Sequence, residues 1–503
     1  MVRNLLLAGA LFFSGCSFAL TFENKQQDKN TSIPEVANRI AMQYHQMGWF
    51  SGNLLITKDG EKVFLSSYGF QDIENQIKNS AKTRFNLGSI VKDFTKVLIL
   101  QQIQAGKLTL NDKLVTFDLG FMQDNIDEIT IEHLLNHRAG FADIFVAEYR
   151  ENPLAFDTLD KKLKLLINRP LLFEPGTDRK YSNYGYVVLG VILEKVTGKP
   201  FEVLLQDDIF NRIGMSSTTF RPLALHQHQS KRYAYQYDSV LRHVGVTEHP
   251  SPDGGIESTV EDVQRFYHAL FYTNKLLENT DSLNRRLFDM DGSHWGAYGG
   301  GLGVSAAVDI DLLNGYEIVV MANTDHLVAE YISGRVLSFL TQGEYEAIRQ
   351  LEKNFAFEYY QKYGKQGFAK HFQQAYSDSG YTQFIGRTIN ELGMELIKTE
   401  SWAEAFDMFE YLVSLFPEAP QVYDSLAFAY LSQGDKKMAK STFSQSLAIN
   451  ADFESDYVSV NLFSALNQLW LILGKLIIML IFEIANLHLH EYLPRIILKH
   501  TIL

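Results

Sequence analysis

The chain has 503 residues, of which 46% are apolar and 21% charged, an ordinary globular composition that excludes a mostly disordered chain. Its 46 Lys and Arg stand against 59 Asp and Glu, a net charge of −13, which makes it a poor non-specific binder of nucleic acid, because phosphates demand basic patches. Its one cysteine, Cys16, leaves room neither for a disulfide framework nor for a multi-cysteine zinc or iron–sulfur site.

Residues 1–19 place Arg3 ahead of an apolar run from Leu5 to Phe13, the charged-then-apolar layout of an export signal. The run is too short to cross a bilayer as a helix. Two processing outcomes compete. Cys16 closes the stretch Phe13-Ser14-Gly15-Cys16, which resembles a bacterial lipoprotein signal, where the cysteine becomes the lipidated N-terminus and anchors the chain to a membrane. The other outcome is ordinary cleavage after Ala19, with small Ser17 two residues before it.

The main region runs over residues 32–342. It opens with GNLLITKDGEKVFLSSYGF, two strand-like runs joined at Asp59-Gly60, a hairpin signal. Next, apolar Ile90, Val91, Phe94, Val97, Leu98 and Ile103 recur at helical spacing, with Asn86 and Ser89 where capping residues stand. Inside this helix Ser89 and Lys92 form an S-x-x-K. Residues three apart share a helix face, so the Lys92 nitrogen reaches the Ser89 oxygen. A serine hydroxyl is a weak nucleophile until a neighbouring base takes its proton. A lysine serves as that base only where desolvation or nearby cations favour its neutral form. The helix N-terminus also favours negative charge growing on the serine oxygen.

Further elements follow in order. LLNHRAGFAD spans Leu134 to Asp143, with His137 expected at a turn as a brace. FEPGTDRKYSNYGYVVLGVILEKV carries Tyr181-Ser182-Asn183 directly before an amphipathic helix pattern, and Glu174 is expected to shape the approach to Tyr181. Gly198-Lys199-Pro200 reads as a helix end rather than a phosphate loop, since no glycine-rich pattern follows a strand there. PDGGIESTVEDVQRF begins at Pro252, and Gly254-Gly255 is expected to let a loop pass near a cleft. YGGGLGVSA begins at Tyr298, and YEIVVMANTD, from Tyr316, has a strand pattern.

In this order the elements resemble the serine β-lactamase and penicillin-binding-protein family, within it the branch of class C β-lactamases, D-aminopeptidases and related esterases. The resemblance covers residues 32–342, about three-fifths of the chain. It implies an α+β fold, a mainly antiparallel sheet flanked by helices with a helical lobe beside it. Ser89 then matches the acylated nucleophile, Lys92 the lysine that shuttles its proton, and Tyr181 the general base that later protonates the leaving group. Asn183 matches the amide that orients substrate and lysine. The third element of such proteins is Lys-Thr-Gly or His-x-Gly on an edge strand; the triplet aligned here is Tyr298-Gly299-Gly300, followed by Gly301. The backbone N–H groups of Gly301 and Ser89 are the expected oxyanion donors, and bare glycine backbone suits a strand against which substrate lies. Tyr298 departs from the family pattern. A phenol donates a hydrogen bond but brings no positive charge, which argues against substrates carrying a carboxylate and for a neutral ester or amide. His294, four residues upstream, is a candidate substitute for the missing charge.

Beyond a helical connector, expected as a helix over about 344–375 within residues 343–388, two stretches repeat. Leu392 matches Leu426, Ala405 matches Ala439 and Phe409 matches Phe443, each at the same spacing in the sequence. Small residues where helices cross, with an aromatic beside them, resemble tetratricopeptide repeats over 389–453, with a turn at Gly434-Asp435. Such repeats imply a protein or peptide partner. The tail over 454–503 contains the apolar run Leu469 to Phe482, short of a membrane span.

These readings combine into an exported serine hydrolase of the periplasm or cell envelope, working by acyl-enzyme chemistry on an ester or amide, with peptidoglycan-derived amides among the candidates. Ser, Lys and Tyr chemistry implies no metal or organic cofactor. The alternative is a catalytically inactive envelope scaffold that binds protein partners through its repeats. The Tyr298 departure favours it; the intact set of Ser89, Lys92, Tyr181 and Asn183 argues against it.

Overall fold

The computed structural model describes residues 25–27, 31–220, 228–245 and 248–455. The expected export signal with Cys16, and the apolar run of the C-terminal tail, lie outside the described residues. The chain divides into two compact units, Met1–Gln350 and Leu351–Leu503.

In the first unit, helix α1 (Ile33–Gln46) starts under a capping box between Ser32 and Glu35. Strands β1 (Gly52–Lys58) and β2 (Glu61–Tyr68) form the expected hairpin. Asp59 and Gly60 both take positive φ, 51° and 81°, as a two-residue turn matched to strand twist requires. There follow α2 (Val91–Gln104), α3 (Asn183–Thr197), β3 (Arg232–Tyr235) and α4 (Val260–Tyr272). Then come β4 (His294–Gly301), β5 (Val304–Asp311), β6 (Tyr316–Ala322) and α5 (Val328–Gln342).

The main sheet has the order β4-β5-β6-β1-β2, antiparallel throughout, with β4 at an edge. Every residue of β5 is buried, so the sheet is covered on both faces. Ala306, Val308 and Ile310 turn toward the core shared with α2, α3 and α4. Asp309, between them, turns the other way and meets Ser333 of α5. This alternation fixes which β4 residues face the lobe that carries α2.

Two expectations are corrected. The helix after Tyr181 is not amphipathic along its first two turns: Asn183 through Gly190 are all buried, so this half of α3 is covered all round, and only the last turns reach solvent, at Lys195. The connector is not helical from residue 344. Glu344–Glu346 is a strand that pairs antiparallel with Lys25–Gln27, and the helix begins at Glu352. The strand's partner lies more than three hundred residues away in sequence, so local periodicity carries no trace of it.

The second unit is α-helical: α6 (Glu352–Asp378, broken at Gly364), α7 (Ile385–Lys398), α8 (Trp402–Leu415), α9 (Pro420–Gln433) and α10 (Lys436–Ile449). Helix α7 packs against α8, and α9 against α10. Ala405 and Ala439 are both fully buried at matching places in α8 and α10. Phe409 is fully buried against Gly393 of α7, whereas Phe443 is half-buried. Gly434-Asp435 makes the expected turn, and the Asp435 side chain caps α10.

Candidate active site

Ser89 lies in a single 3-10 turn, Gly88–Ile90, that runs directly into α2. The Asn86 side-chain oxygen accepts the Gly88 N–H at 2.8 Å and sets the entry to that turn. One turn on, Lys92 is 6% exposed. Its ammonium donates to Ser89 Oγ at 3.1 Å, to Asn183 Oδ1 at 2.7 Å and to the Asp253 carbonyl at 2.6 Å. A lysine has three N–H donors, and all three are used. The Tyr181 hydroxyl donates to Ser89 Oγ at 2.9 Å. Residues 89, 92, 181 and 183, dispersed along the chain, thus meet around one serine oxygen.

Each partner is held in turn. Ser182 caps α3 and so places Asn183 in its first turn. The Asn183 amide nitrogen donates to both oxygens of Asp143 at 3.1 Å, which leaves its oxygen for Lys92. His137 sits at φ 58°, accepts the Ser182 N–H on Nδ1 at 3.3 Å, and lies with its ring 4.5 Å from that of Tyr181. An imidazole that accepts on Nδ1 is neutral. Burial, and then the charge of Lys92, push its pKa down to about 4. The loop holding Asp253 is tied to α2 by Thr95, whose hydroxyl donates to the Pro252 carbonyl at 2.7 Å. Glu174 is exposed, its carbonyl closing a turn with Thr177. Gly198 ends α3 as a C-cap.

Strand β4 closes the site. Gly299 is pressed against the serine turn so closely that a Cβ there would stand 2.0 Å from the Leu87 carbonyl oxygen and 3.0 Å from the Ser89 nitrogen. Side chains alternate along a strand, so Ala297 and Gly299 face the serine, and Gly296 and Tyr298 face the opposite side. Tyr298 is therefore not where the aligned triplet puts it. Its hydroxyl donates to Asp309 Oδ1 at 2.7 Å, with the phenol lying over Gly296. Burial and the Asp309 carboxylate push its pKa well up. His294 bonds the same Asp309 oxygen at 2.7 Å, so it does not stand in for the missing charge either. The small, buried Ala297 occupies the serine-facing position. Sequence reading missed this because the run of glycines after Tyr298 leaves the register of the strand open by one residue.

The cleft over Ser89 has a volume of about 330 Å³, and Tyr181, Asn183, Gly300, Gly301 and Arg232 are among its lining residues. Three features escaped sequence reading: Asp143, the Asp253 carbonyl and Arg232. The first two lie in elements singled out there, LLNHRAGFAD and PDGG, but a carbonyl acceptor has no side-chain signature.

Comparison with known proteins agrees with this architecture. The family model described as Beta-lactamase matches residues 36–347. A penicillin-binding protein of Bacillus subtilis (strain 168) is 29% identical over 243 residues, covering 44% of this chain and 52% of the relative. A putative D-alanyl-D-alanine carboxypeptidase of Escherichia coli (strain K12) is 28% identical over 239 residues, 43% of this chain and 54% of the relative. The chain thus spans about half the length of these curated relatives. Among solved structures, a penicillin binding protein from Bacillus halodurans superposes with a TM-score of 0.53 at 26% identity, covering 60% of this chain and 99% of that one.

Proposed function

The chain belongs to the beta-lactamase family, and we propose that it is an exported serine hydrolase that cleaves an ester or amide through an acyl-enzyme on Ser89. The observation that carries this reading is the convergence on Ser89 Oγ of the Tyr181 hydroxyl at 2.9 Å and the Lys92 ammonium at 3.1 Å. In the proposed cycle Tyr181 reacts as the phenolate, its own proton having passed to solvent and its negative charge held beside the Lys92 ammonium, and it takes the serine proton as Oγ bonds to the substrate carbonyl carbon. The carbonyl oxygen becomes an oxyanion held by the Ser89 N–H and an N–H of the Gly300-Gly301 stretch, a contribution of several kcal/mol to the barrier. Tyr181 then returns the proton to the leaving oxygen or nitrogen as that bond breaks. Water, deprotonated by the same group, hydrolyses the acyl-enzyme and restores Ser89. Asn183 keeps Lys92 in place and, with Gly300 and Gly301, holds the substrate. Relatives named as a carboxypeptidase and as an N-acetylmuramyl-L-alanine amidase support amides, including peptidoglycan-derived ones, as the substrate class.

Export with lipidation at Cys16, and a protein-binding role for the repeats in the second unit, complete the reading. The matched burial of Ala405 and Ala439 supports tetratricopeptide-like packing. The decisive experiment is labelling with a neutral fluorophosphonate. Wild type labels, and Ser89→Ala does not. Folded wild type that fails to label points instead to the inactive scaffold.

A further inference from the structure

The cleft contains an arginine that the proposed chemistry does not use. Arg232, the first residue of β3, is 7% exposed and lines the same cleft as Ser89. Among the described residues its guanidinium makes no hydrogen bond and no ion pair, and its Nε is buried without a partner. The acids that act on it, Glu257 and Glu248, do so through space only. Glu248 already receives the Tyr149 hydroxyl at 3.3 Å, and Glu257 the Gln229 amide at 3.0 Å. Burial holds the Glu257 carboxyl up to about 7, so near neutral pH it supplies only part of a counter-charge. The other buried cation of the cleft, Lys162, is satisfied by the His249 carbonyl at 3.0 Å. The Nε–H, removed from water and unpaired, costs free energy unless a ligand completes it, and the remaining donors of the planar fork are left to the cleft that Arg232 lines.

We propose that Arg232 anchors a carboxylate of the substrate, placed a few bonds from the carbonyl that Ser89 attacks. This deepens the hydrolase reading and rests on it. The spacing comes from β4. The turn between β4 and β5 packs on Arg232, since a Cβ on Gly303 would stand 2.7 Å from the Arg232 Cβ. Gly299, beside Ser89, lies three residues before Leu302 of that turn, roughly 10 Å of strand. The carboxylate is therefore recognised from β3 at the far end of the cleft. The absence of a cation from the serine-facing side of β4 then does not select against an anionic substrate.

The test compares two pairs of aryl esters. On the acyl side, the para-nitrophenyl monoester of glutaric acid is set against its methyl-capped diester. On the leaving-group side, meta-carboxyphenyl pentanoate is set against its methyl ester. Wild type is expected to prefer one carboxylate over its neutral counterpart by about ten- to hundred-fold in kcat/KM, carried by KM, as a charge-assisted hydrogen bond allows. Arg232→Gln abolishes that preference, and Arg232→Lys retains part of it. Equal rates of labelling by the neutral fluorophosphonate show that the variants are folded. Turnover with no preference in wild type, or a preference that survives Arg232→Gln, overturns the assignment and leaves the hydrolase standing. No turnover of any of the four esters removes both.

Discussion

Gly299→Ala should disable the site without touching any side chain in it. The glycine has no unusual φ, so alanine is conformationally allowed there; contact alone forbids it. The added Cβ would stand 2.0 Å from the Leu87 carbonyl oxygen. Carbon and oxygen approach no closer than about 3.3 Å in favourable contacts, so β4 and the serine turn must part by roughly 1.3 Å. A displacement of about 1 Å between reacting groups costs on the order of a hundredfold in rate. The overpacking itself costs about 1–3 kcal/mol of stability. The expected result is a fall of about a hundredfold in kcat for a neutral aryl ester, an equal slowing of fluorophosphonate labelling, and a loss of a few degrees in Tm. Gly296→Ala is the control on the same strand. Its Cβ would meet the far end of the Tyr298 side chain, 2.5 Å from the hydroxyl, which is able to swing away. That variant should lose about 1 kcal/mol with the Tyr298–Asp309 bond and keep its activity. Equal loss of activity in both variants, or none in Gly299→Ala, would refute the facing assigned to β4.

The acid stability of the protein should carry the signature of His137. In the fold its imidazole stays neutral down to about pH 4, whereas its ordinary value is 6.5. Between those values the unfolded chain binds the extra proton, so stability is complete above pH 6.5 and is lost as the pH falls to 4, by at most about 3 kcal/mol. His137→Asn, which tolerates the left-handed backbone there, should flatten that limb of a Tm-against-pH curve. In the second unit, Phe409→Ala should cost about 3–5 kcal/mol in denaturant unfolding, because Phe409 is fully buried, and Phe443→Ala distinctly less, because Phe443 is half-buried. Equal costs would contradict the unequal packing of the two helix pairs.

What was legible in the sequence follows from range. The Ser89–Lys92 contact is an i,i+3 geometry, so spacing alone reaches it. The β1–β2 hairpin is legible because Asp59-Gly60 names its own turn. Tyr181 and Asn183 are reached only through resemblance, since ninety residues separate them from Ser89. The facing of Tyr298 was misread because glycines carry no inside–outside signal, so the register of β4 becomes visible only when Asp309 is seen opposite Gly296. Arg232 was invisible for another reason. Its distinction is the lack of a partner, and that is a property of the folded neighbourhood rather than of a motif.

In the proposed hydrolase, the choice of acceptors around Lys92 lets one lysine both hold and activate the serine. A carboxylate in contact with Nζ would neutralise the ammonium and fix it in an ion pair. The structure instead supplies a hydroxyl, an amide oxygen and a backbone carbonyl, all uncharged. The nearest carboxylate in that chain of bonds, Asp143, is set one group back, behind the Asn183 amide. It orients the amide, and the positive charge of Lys92 stays available at the serine. At 3.1 Å from Oγ, with an effective dielectric of about 20, that charge stabilises negative charge on the oxygen by something of order 5 kcal/mol. His137 adds none, since it is neutral over the working range of pH, and its task is to hold Ser182 and the ring of Tyr181. The division of labour is therefore electrostatic. Asn183 acts as an insulating spacer between a carboxylate and an ammonium, and the serine oxygen is the one place where the ammonium's charge is called on.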